Sequence, residues 1–166
     1  MTTAISRTTK EQPMSLISRL LARLFRVENL RRTDGEVYMR RFVLLRLKSG
    51  RGIYLHNFLR NDDRRDPHDH TGRFISIGLK GGYVEDKGLS FIWEGQLGFE
   101  GYCERFTAPW IRTFPPNHIH IISLRPRQTC WTLIFHGKYV RPWGFTTNRG
   151  WVHWQEYLDE EDWYTK

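Results

Sequence analysis

Cysteine is scarce in this 166-residue sequence, which has only Cys103 and Cys130. Two cysteines are too few for a disulfide framework and neither belongs to a Cys-x-x-Cys pair, so we expect two reduced thiols in a cytoplasmic protein. The sequence also lacks a glycine-rich phosphate loop with its lysine, a Gly-x-Ser-x-Gly nucleophile motif and zinc-finger spacing. These absences argue against P-loop nucleotide hydrolases, nucleophile-elbow hydrolases and zinc-finger domains.

Acidic residues are outnumbered by basic ones, 18 Asp and Glu against 26 Lys and Arg, which gives a formal net charge of +8. Such an excess favours an anionic partner, namely nucleic acid, a nucleotide, an acidic membrane or an acidic small molecule. Much of the excess lies in the first 32 residues. The charge balance therefore does not choose among these partners. At this length we expect one domain with its own hydrophobic core.

Residues 1–30 are predicted to form a polar, disordered tail followed by a basic amphipathic helix. Apolar residues recur there at helical spacing with arginines between them, and they are Leu16, Ile17, Leu20, Leu21, Leu24 and Phe25. The helix is too short and too charged to be a transmembrane segment. We expect it to pack on the outside of the following domain or in a homodimer contact, with contact to a membrane surface or nucleic acid as the alternative.

Residues 31–166 change to short runs rich in β-branched and aromatic residues, separated by Gly, Pro, Asn and Asp. The predicted strands are 37–47, 52–59, 72–79, 82–84, 90–93, 102–106, 110–114, 118–124, 130–136 and 140–145. Many short strands at this spacing are typical of a β-sandwich or β-barrel. The aromatic and acidic stretch 151–163 is predicted to close one end of the barrel as an irregular segment or short helix.

Two histidine pairs are the main candidates for chemistry. Residues two apart on a strand share a face, so His68 and His70 point the same way, as do His118 and His120. The two pairs can converge on one divalent metal, since neutral imidazole is the side-chain group that most commonly binds metals in proteins. We expect His68, His70 and His120 to be the ligands, leaving coordination positions open. His118 is then a fourth ligand, a group that supports the ligands or an acid–base group, and a metal-free polar cluster is the alternative.

The residues around these pairs resemble the two conserved motifs of the cupin superfamily. His-Asp-His at 68–70, with the following strand and the Gly-Gly turn at 81–82, resembles the first motif. Pro-Asn-His-Ile-His at 116–120 resembles the second. The resemblance covers roughly residues 52–145. It implies an all-β cupin barrel, which is a double-stranded β-helix or jelly roll, preceded here by the N-terminal α-helix.

Within the cupins, His68-Asp69-His70-Thr71 followed by Gly82 resembles the cysteine dioxygenase-like thiol dioxygenases, which hold iron(II) with three histidines. Most cupins add a glutamate four or five residues beyond the first pair, where this sequence has Phe74 and Ile75. That absence agrees with a three-histidine iron(II) site and equally with a barrel that has lost catalysis. Zinc, nickel or manganese are the alternative metals. The stretch 131–154 also resembles small cupin-like proteins from phages and bacteria.

The resemblance implies a non-haem iron oxygenase that acts on a small anionic molecule. The candidate catalytic groups are His118, His136 and Tyr54. Thiol dioxygenases bind the substrate carboxylate with an arginine on an earlier strand, and His56 stands at that place here. The candidate substrate-binding residues are therefore His56, Arg60, Arg73 and Arg112.

Two other functions are compatible with the same residues. One is a non-enzymatic cupin that binds an anionic metabolite, a nucleotide or a sugar phosphate, with the histidines as hydrogen-bonding groups. The other is a metal-dependent isomerase or hydrolase on the same barrel. Glu85, which follows the glycine pair, is expected to be an exposed strand-edge residue, with a metal ligand or general base as the alternative.

Overall fold

The structure is a computed structural model that describes residues 13–32, 35–62, 66–93 and 96–159, with the side chains of these residues except 88–100 and 159. The predicted tail at 1–12 and the end of the predicted closing stretch at 160–163 lie outside the described residues. Both cysteines are free, with Cys103 exposed and Cys130 buried. No helix of the described chain has the length and apolar character to cross a membrane.

The described chain is mostly β-strand, with a short helix near each end. Its elements are α1 Leu16–Leu24, β1 Arg26–Arg31, β2 Val37–Arg46, β3 Gly52–Phe58, β4 Phe74–Lys80, β5 Gly82–Trp93, β6 Gln96–Thr107, β7 Trp110–Phe114, β8 Ile121–Leu124, β9 Cys130–His136, β10 Gly144–Thr147, β11 Gly150–His153 and α2 Trp154–Asp159.

The strands form two main antiparallel sheets. One has six strands in the order β1-β2-β3-β9-β4-β7, the other has three in the order β6-β5-β8, and β10 and β11 form a separate hairpin. Side chains from both sheets meet in one buried cluster, in which Met39 and Phe58 of the large sheet lie with Tyr83 and Ile122 of the small one. The two sheets therefore share a core, as the alternating apolar strands predict.

Most predicted strands are present, but the strand predicted at 140–145 lies at Gly144–Thr147, and β11 at Gly150–His153 was not predicted. Three other places differ as well. Residues 82–93 form one continuous strand because β6 pairs with β5 along its whole length. The predicted strand 118–124 begins only at Ile121, so His118 and His120 lie in the segment before it. The third place is β1, which was not predicted and lies mostly within the segment 1–30. It pairs with β2, with Arg26 opposite Val43, and so extends the large sheet.

Helix α1 lies on the barrel through a polar residue. It begins after Ser15, whose hydroxyl accepts a hydrogen bond from the Ser18 backbone N–H. Ser18 is buried, and its hydroxyl accepts from Asn57 Nδ2 at 3.4 Å. The exposed fractions of the leucine-rich side are 68% for Leu16, 61% for Ile17, 50% for Leu20 and 75% for Leu24. Most of the predicted apolar side therefore faces away from the barrel.

Candidate metal centre

Backbone hydrogen bonds bring the two histidine motifs together. His68 and His120 exchange both of their N–H···O=C bonds, each with an N···O distance of 3.1 Å. Residues that exchange both bonds are direct neighbours in an antiparallel pair. The His70 N–H also donates to the carbonyl of Pro116 at 3.0 Å. Segments that are far apart in the sequence therefore lie side by side at one end of the barrel.

Asp69, between the two histidines of the first motif, points the other way and anchors the C-terminal segment. It is buried, and its Oδ1 accepts from the Gly144 N–H at 2.8 Å. Its Oδ2 accepts from Trp151 Nε1 at 3.0 Å and lies 2.7 Å from Arg141. Because successive side chains of an extended chain alternate, this anchoring directs His68 and His70 to the opposite side.

Three imidazole rings converge inside the barrel. The ring centroid of His120 lies 4.8 Å from that of His68 and 4.8 Å from that of His70. One nitrogen of each of the three rings lies within 4.8 Å of the other two. Nitrogens that each lie about 2 Å from one ion are at most about 4 Å apart, so small ring movements bring all three to a single metal.

The environment of His70 fits a metal ligand. Its Nε2 is buried and has no hydrogen-bond partner among the described residues. A buried polar atom without a partner costs about 1–3 kcal/mol, a cost that coordination of a metal removes. Burial and the neighbouring imidazoles of His120 and His68 hold the pKa of His70 well below its usual value. The ring is therefore neutral, which is the form that binds metals.

Glu85 orients the third imidazole. The side chain is 0% exposed, and its Oε1 accepts hydrogen bonds from His120 Nδ1 and from His118 Nε2, the latter at 2.7 Å. Its Oε2 accepts from Arg112 Nη1 at 2.9 Å. An ionised carboxylate only accepts hydrogen bonds, so the proton of His120 is on Nδ1 and the lone pair is on Nε2. We call these four residues the Glu85 cluster.

Glu85 is ionised although it is buried. Burial alone would raise its pKa, but the hydrogen bonds from His118, His120 and Arg112 outweigh that effect and hold the pKa far below its usual value. Burial lowers the pKa of His120 to about 4 against the opposing effect of Glu85. The prediction of an exposed strand-edge residue is wrong, because β5 is the central strand of the small sheet and buries this side chain.

The carboxylate of Glu85 is poorly suited to a second ion. Donor atoms of Glu85, His118 and His120 also lie within 4.8 Å of one another. However, Arg112 at 2.9 Å and Lys87 at 3.4 Å already place two cations beside Oε2. Like charges at such distances repel another cation. The cluster therefore fits a role in holding His120 better than a role as a metal site.

A cavity of about 490 Å³ opens in front of the three histidines. This volume is within the usual range for small-molecule sites. Aromatic side chains of the C-terminal segment form part of its wall, and they are Trp143, Phe145, Trp154 and Tyr157. The Tyr157 hydroxyl donates to Asp66 Oδ2 at 2.8 Å, which ties α2 to the segment before His68. The predicted closing stretch thus covers the metal end of the cavity.

Polar side chains line the wall that belongs to the large sheet. Tyr54, His56 and His136, all predicted site residues, face the cavity. So does Thr132, which lies directly opposite His56 on β9 and whose buried Oγ1 has no hydrogen-bond partner among the described residues. Arg41 lies opposite His56 on β2, lines the cavity, and donates from Nε to His56 Nε2 at 3.2 Å.

Four predicted site residues lie away from the lining of this cavity. Arg60 pairs with Glu36, and Arg73 is exposed just before β4. Arg112 pairs with Glu85 and stacks its guanidinium 4.0 Å from the centre of the Phe106 ring. His118 also points to Glu85. Three other arginines line the cavity instead, namely Arg31, Arg32 and Arg41, and Arg41 lies beside His56 because β2 pairs with β3.

No protein-family model matches the chain, and no curated protein matches its sequence. Fe(II)-HppE, a hydroxypropylphosphonic acid epoxidase, is similar in structure with a TM-score of 0.52 and 12% identity over 68% of this chain. The polyketide cyclase RemF from Streptomyces resistomycificus has a TM-score of 0.50 and 16% identity, and the match covers 70% of this chain and 77% of the RemF chain. A cupin-like protein from Thermotoga maritima has a TM-score of 0.48 and 17% identity, and the match covers 73% of this chain and 83% of that protein.

The likenesses to HppE and RemF show the fold, which is the cupin barrel, or double-stranded β-helix, that the sequence predicts. This chain spans 56% of the HppE chain. At these identities the likeness does not extend to a reaction or a substrate. The described residues of this chain therefore provide a cupin barrel with a histidine-rich group that suits a divalent metal.

Proposed function

We propose that this chain is a metal-dependent oxygenase that holds iron(II) through His68, His70 and His120 and oxidises a small anionic substrate, in the manner of the thiol dioxygenases. The observation that carries the proposal is the buried Nε2 of His70, which lacks a hydrogen-bond partner among the described residues and faces two further imidazoles. HppE binds Fe(II) within the same fold, which supports iron as the metal. Zinc, nickel and manganese are the alternatives that imidazole ligands also accept.

The residues at the metal end hold the ligands in place and keep water out. When bound, iron(II) supplies one-electron chemistry with dioxygen. Glu85 fixes the tautomer of His120, so that the lone pair of Nε2 is available. His118 acts through Glu85, and for this reason we assign it a positioning role. Phe74, Trp143 and other aromatic side chains make this end of the cavity apolar.

The large-sheet wall provides the groups that bind substrate and move protons. Arg41 orients the anionic group: its contact with Glu28 is 3.7 Å, too long for a hydrogen bond, so its guanidinium keeps donors for a ligand. His56 and Thr132 lie beside it in one row across three strands. His136 and Tyr54 are the acid–base groups, and Thr71 Oγ1 shares a hydrogen bond with His136 Nε2 at 3.3 Å.

Elemental analysis of protein purified without chelator tests the metal. We expect about one iron per chain, and its loss in a His68→Ala/His70→Ala variant, because one remaining imidazole is too weak a site. His153→Ala is the matched control, because His153 does not line the cavity and its Nδ1 accepts from the Gln155 N–H at 3.4 Å. Zinc or nickel in place of iron would contradict the oxygenase and favour an isomerase or hydrolase.

Oxygen uptake tests the reaction. Iron-loaded protein should consume dioxygen with a small thiol that carries a carboxylate, whereas the double-histidine variant should not. Uptake by the wild type alone supports the proposal. An iron-loaded protein that binds such compounds without consuming oxygen would be a binding module. Folded protein that takes up no metal at all would contradict the metal site itself.

A further inference from the structure

Helix α1 presents an apolar side that nothing in the described structure covers. At about 100° per residue, its four exposed apolar residues fall within one sector of about 100° around the helix axis, and they are Leu16, Ile17, Leu20 and Leu24. The barrel contacts a different side of the helix, where Ser18 is buried and Leu21 and Phe25 are partly buried. A packed helix normally turns its apolar stripe toward the core, so this orientation calls for another partner.

Two arginines flank this apolar sector. Arg19 and Arg23 are exposed and lie about 60° and about 20° from Leu16, on the side away from Leu24. A helix with leucines on one side and arginines on its flank is the usual arrangement at a membrane surface. There the leucines enter the interface while the long arginine side chains reach the headgroups.

Exposed apolar and basic residues also lie at the end of β2. β1 starts at Arg26, opposite Val43, so the residues that follow Val43 lie at the end of the sheet where α1 is attached. Three of them are exposed leucines, at positions 44, 45 and 47. The turn beyond them adds the exposed cations Lys48 and Arg51. We call α1 together with residues 44–51 the α1 surface.

Charge identifies the partner of the α1 surface. Neither 13–26 nor 44–51 contains an aspartate or glutamate, although the chain has 18 of them. A second copy of the chain would bring the same cations together across a two-fold axis, and such repulsion opposes a dimer. An anionic surface has the opposite effect. We infer that the α1 surface docks the protein on membranes that contain anionic lipids.

Vesicle flotation with the full-length chain tests this inference. We expect binding to phosphatidylcholine vesicles that contain phosphatidylserine, little binding to pure phosphatidylcholine, and weaker binding at high salt. Arg19→Gln/Arg23→Gln should weaken binding about 30-fold, because each cation near the surface contributes about 1 kcal/mol. Leu16→Ser/Leu20→Ser should weaken it about tenfold or more, because the apolar contact is lost.

Ile111→Ser is the matched control for the leucine variant. Ile111 is 73% exposed and lies on β7, at the edge of the large sheet opposite β1, so its replacement should leave vesicle binding unchanged. Equal binding to neutral vesicles, or binding that both α1 variants retain, would overturn the inference. Light scattering provides the second check. A wild-type dimer that the leucine variant separates, without vesicle binding, would show that the surface is an interface between copies.

Discussion

Two carboxylates, Glu85 and Glu28, each lie among several cations, but they differ in burial and in charge balance. Glu85 is 0% exposed, and the cations beside it, Arg112 and Lys87, are matched by Glu85 itself and by Glu104. Its other partners are the imidazoles of His118 and His120. The two carboxylates and the two cations together have no net charge, and the two imidazoles are neutral. The result is a rigid, neutral assembly that holds one metal-facing imidazole.

Glu28 is 22% exposed and is surrounded by three arginines, Arg26, Arg41 and Arg46, which together with it we call the Glu28 cluster. Arg46 binds both carboxylate oxygens, at 2.7 and 2.8 Å, and this hydrogen bonding lowers the pKa of Glu28. One carboxylate cannot balance three guanidinium groups, so the cluster has a net positive charge, and its member Arg41 brings positive charge to the cavity. A balanced cluster fixes geometry, whereas an unbalanced one attracts an anion.

Replacing Glu85 should have the largest effect. Glu85→Gln removes the charge that Arg112 and Lys87 face, and breaking a buried ion pair on one side costs about 3–5 kcal/mol. We expect about 3 kcal/mol, because Arg112 keeps its contact with Glu104 at 3.5 Å. Loss of the fixed His120 tautomer should also weaken metal binding by about 10–100-fold. Urea denaturation and metal titration measure the two effects, and unchanged metal affinity would show that Glu85 does not orient His120.

The buried histidine beside Arg41 should make the stability of the protein depend on pH. Burial, Arg41 and His136 hold the pKa of His56 well below its usual value. Below pH of about 6.5 the unfolded chain therefore binds a proton that the folded chain does not, and stability falls as the pH falls. The slope from this residue is at most about 1.4 kcal/mol per pH unit.

Urea denaturation of metal-free protein between pH 7 and pH 5 measures that slope. His56→Gln keeps an acceptor for Arg41 but cannot titrate, so the fall of stability with decreasing pH should be smaller than in the wild type. His70 and His120 contribute with the same sign in both proteins, because burial lowers the pKa of each. Identical slopes in the two proteins would mean that His56 is accessible to protons in the folded state.

The parts of the molecule that could be predicted from the sequence depend on local patterns. Alternation within an extended chain places His68 and His70 on one side, and the same rule applies to each strand of the barrel. The surroundings of Glu85 and Arg41 depend on which strands become neighbours and in which register. Arg60, Arg73 and Arg112 were predicted to bind substrate from their positions relative to the predicted strands. Arg41 reaches the cavity because β2 pairs with β3, and a local pattern does not show this pairing.

Helix α1 shows a similar limit. The spacing of its apolar residues predicts a helix with an apolar side, and the structure contains that helix. Periodicity does not specify which side meets the barrel. Here the contact is made through Ser18 and Asn57, a hydrogen-bonded pair that no hydrophobic pattern reports.

Replacing Glu28 should have the smallest effect on stability, and it should strengthen rather than weaken the binding of an anionic ligand. Glu28→Gln removes partly exposed ion pairs, which typically contribute no more than about 1 kcal/mol. It also removes the anion that competes for Arg41, so a small carboxylate should bind more tightly to the variant than to the wild type. Calorimetry on metal-free protein measures this affinity, with Glu36→Gln as the control, because this partly exposed carboxylate pairs with Arg60, which does not line the cavity. Weaker carboxylate binding in Glu28→Gln would show that Glu28 positions Arg41 rather than competing for it.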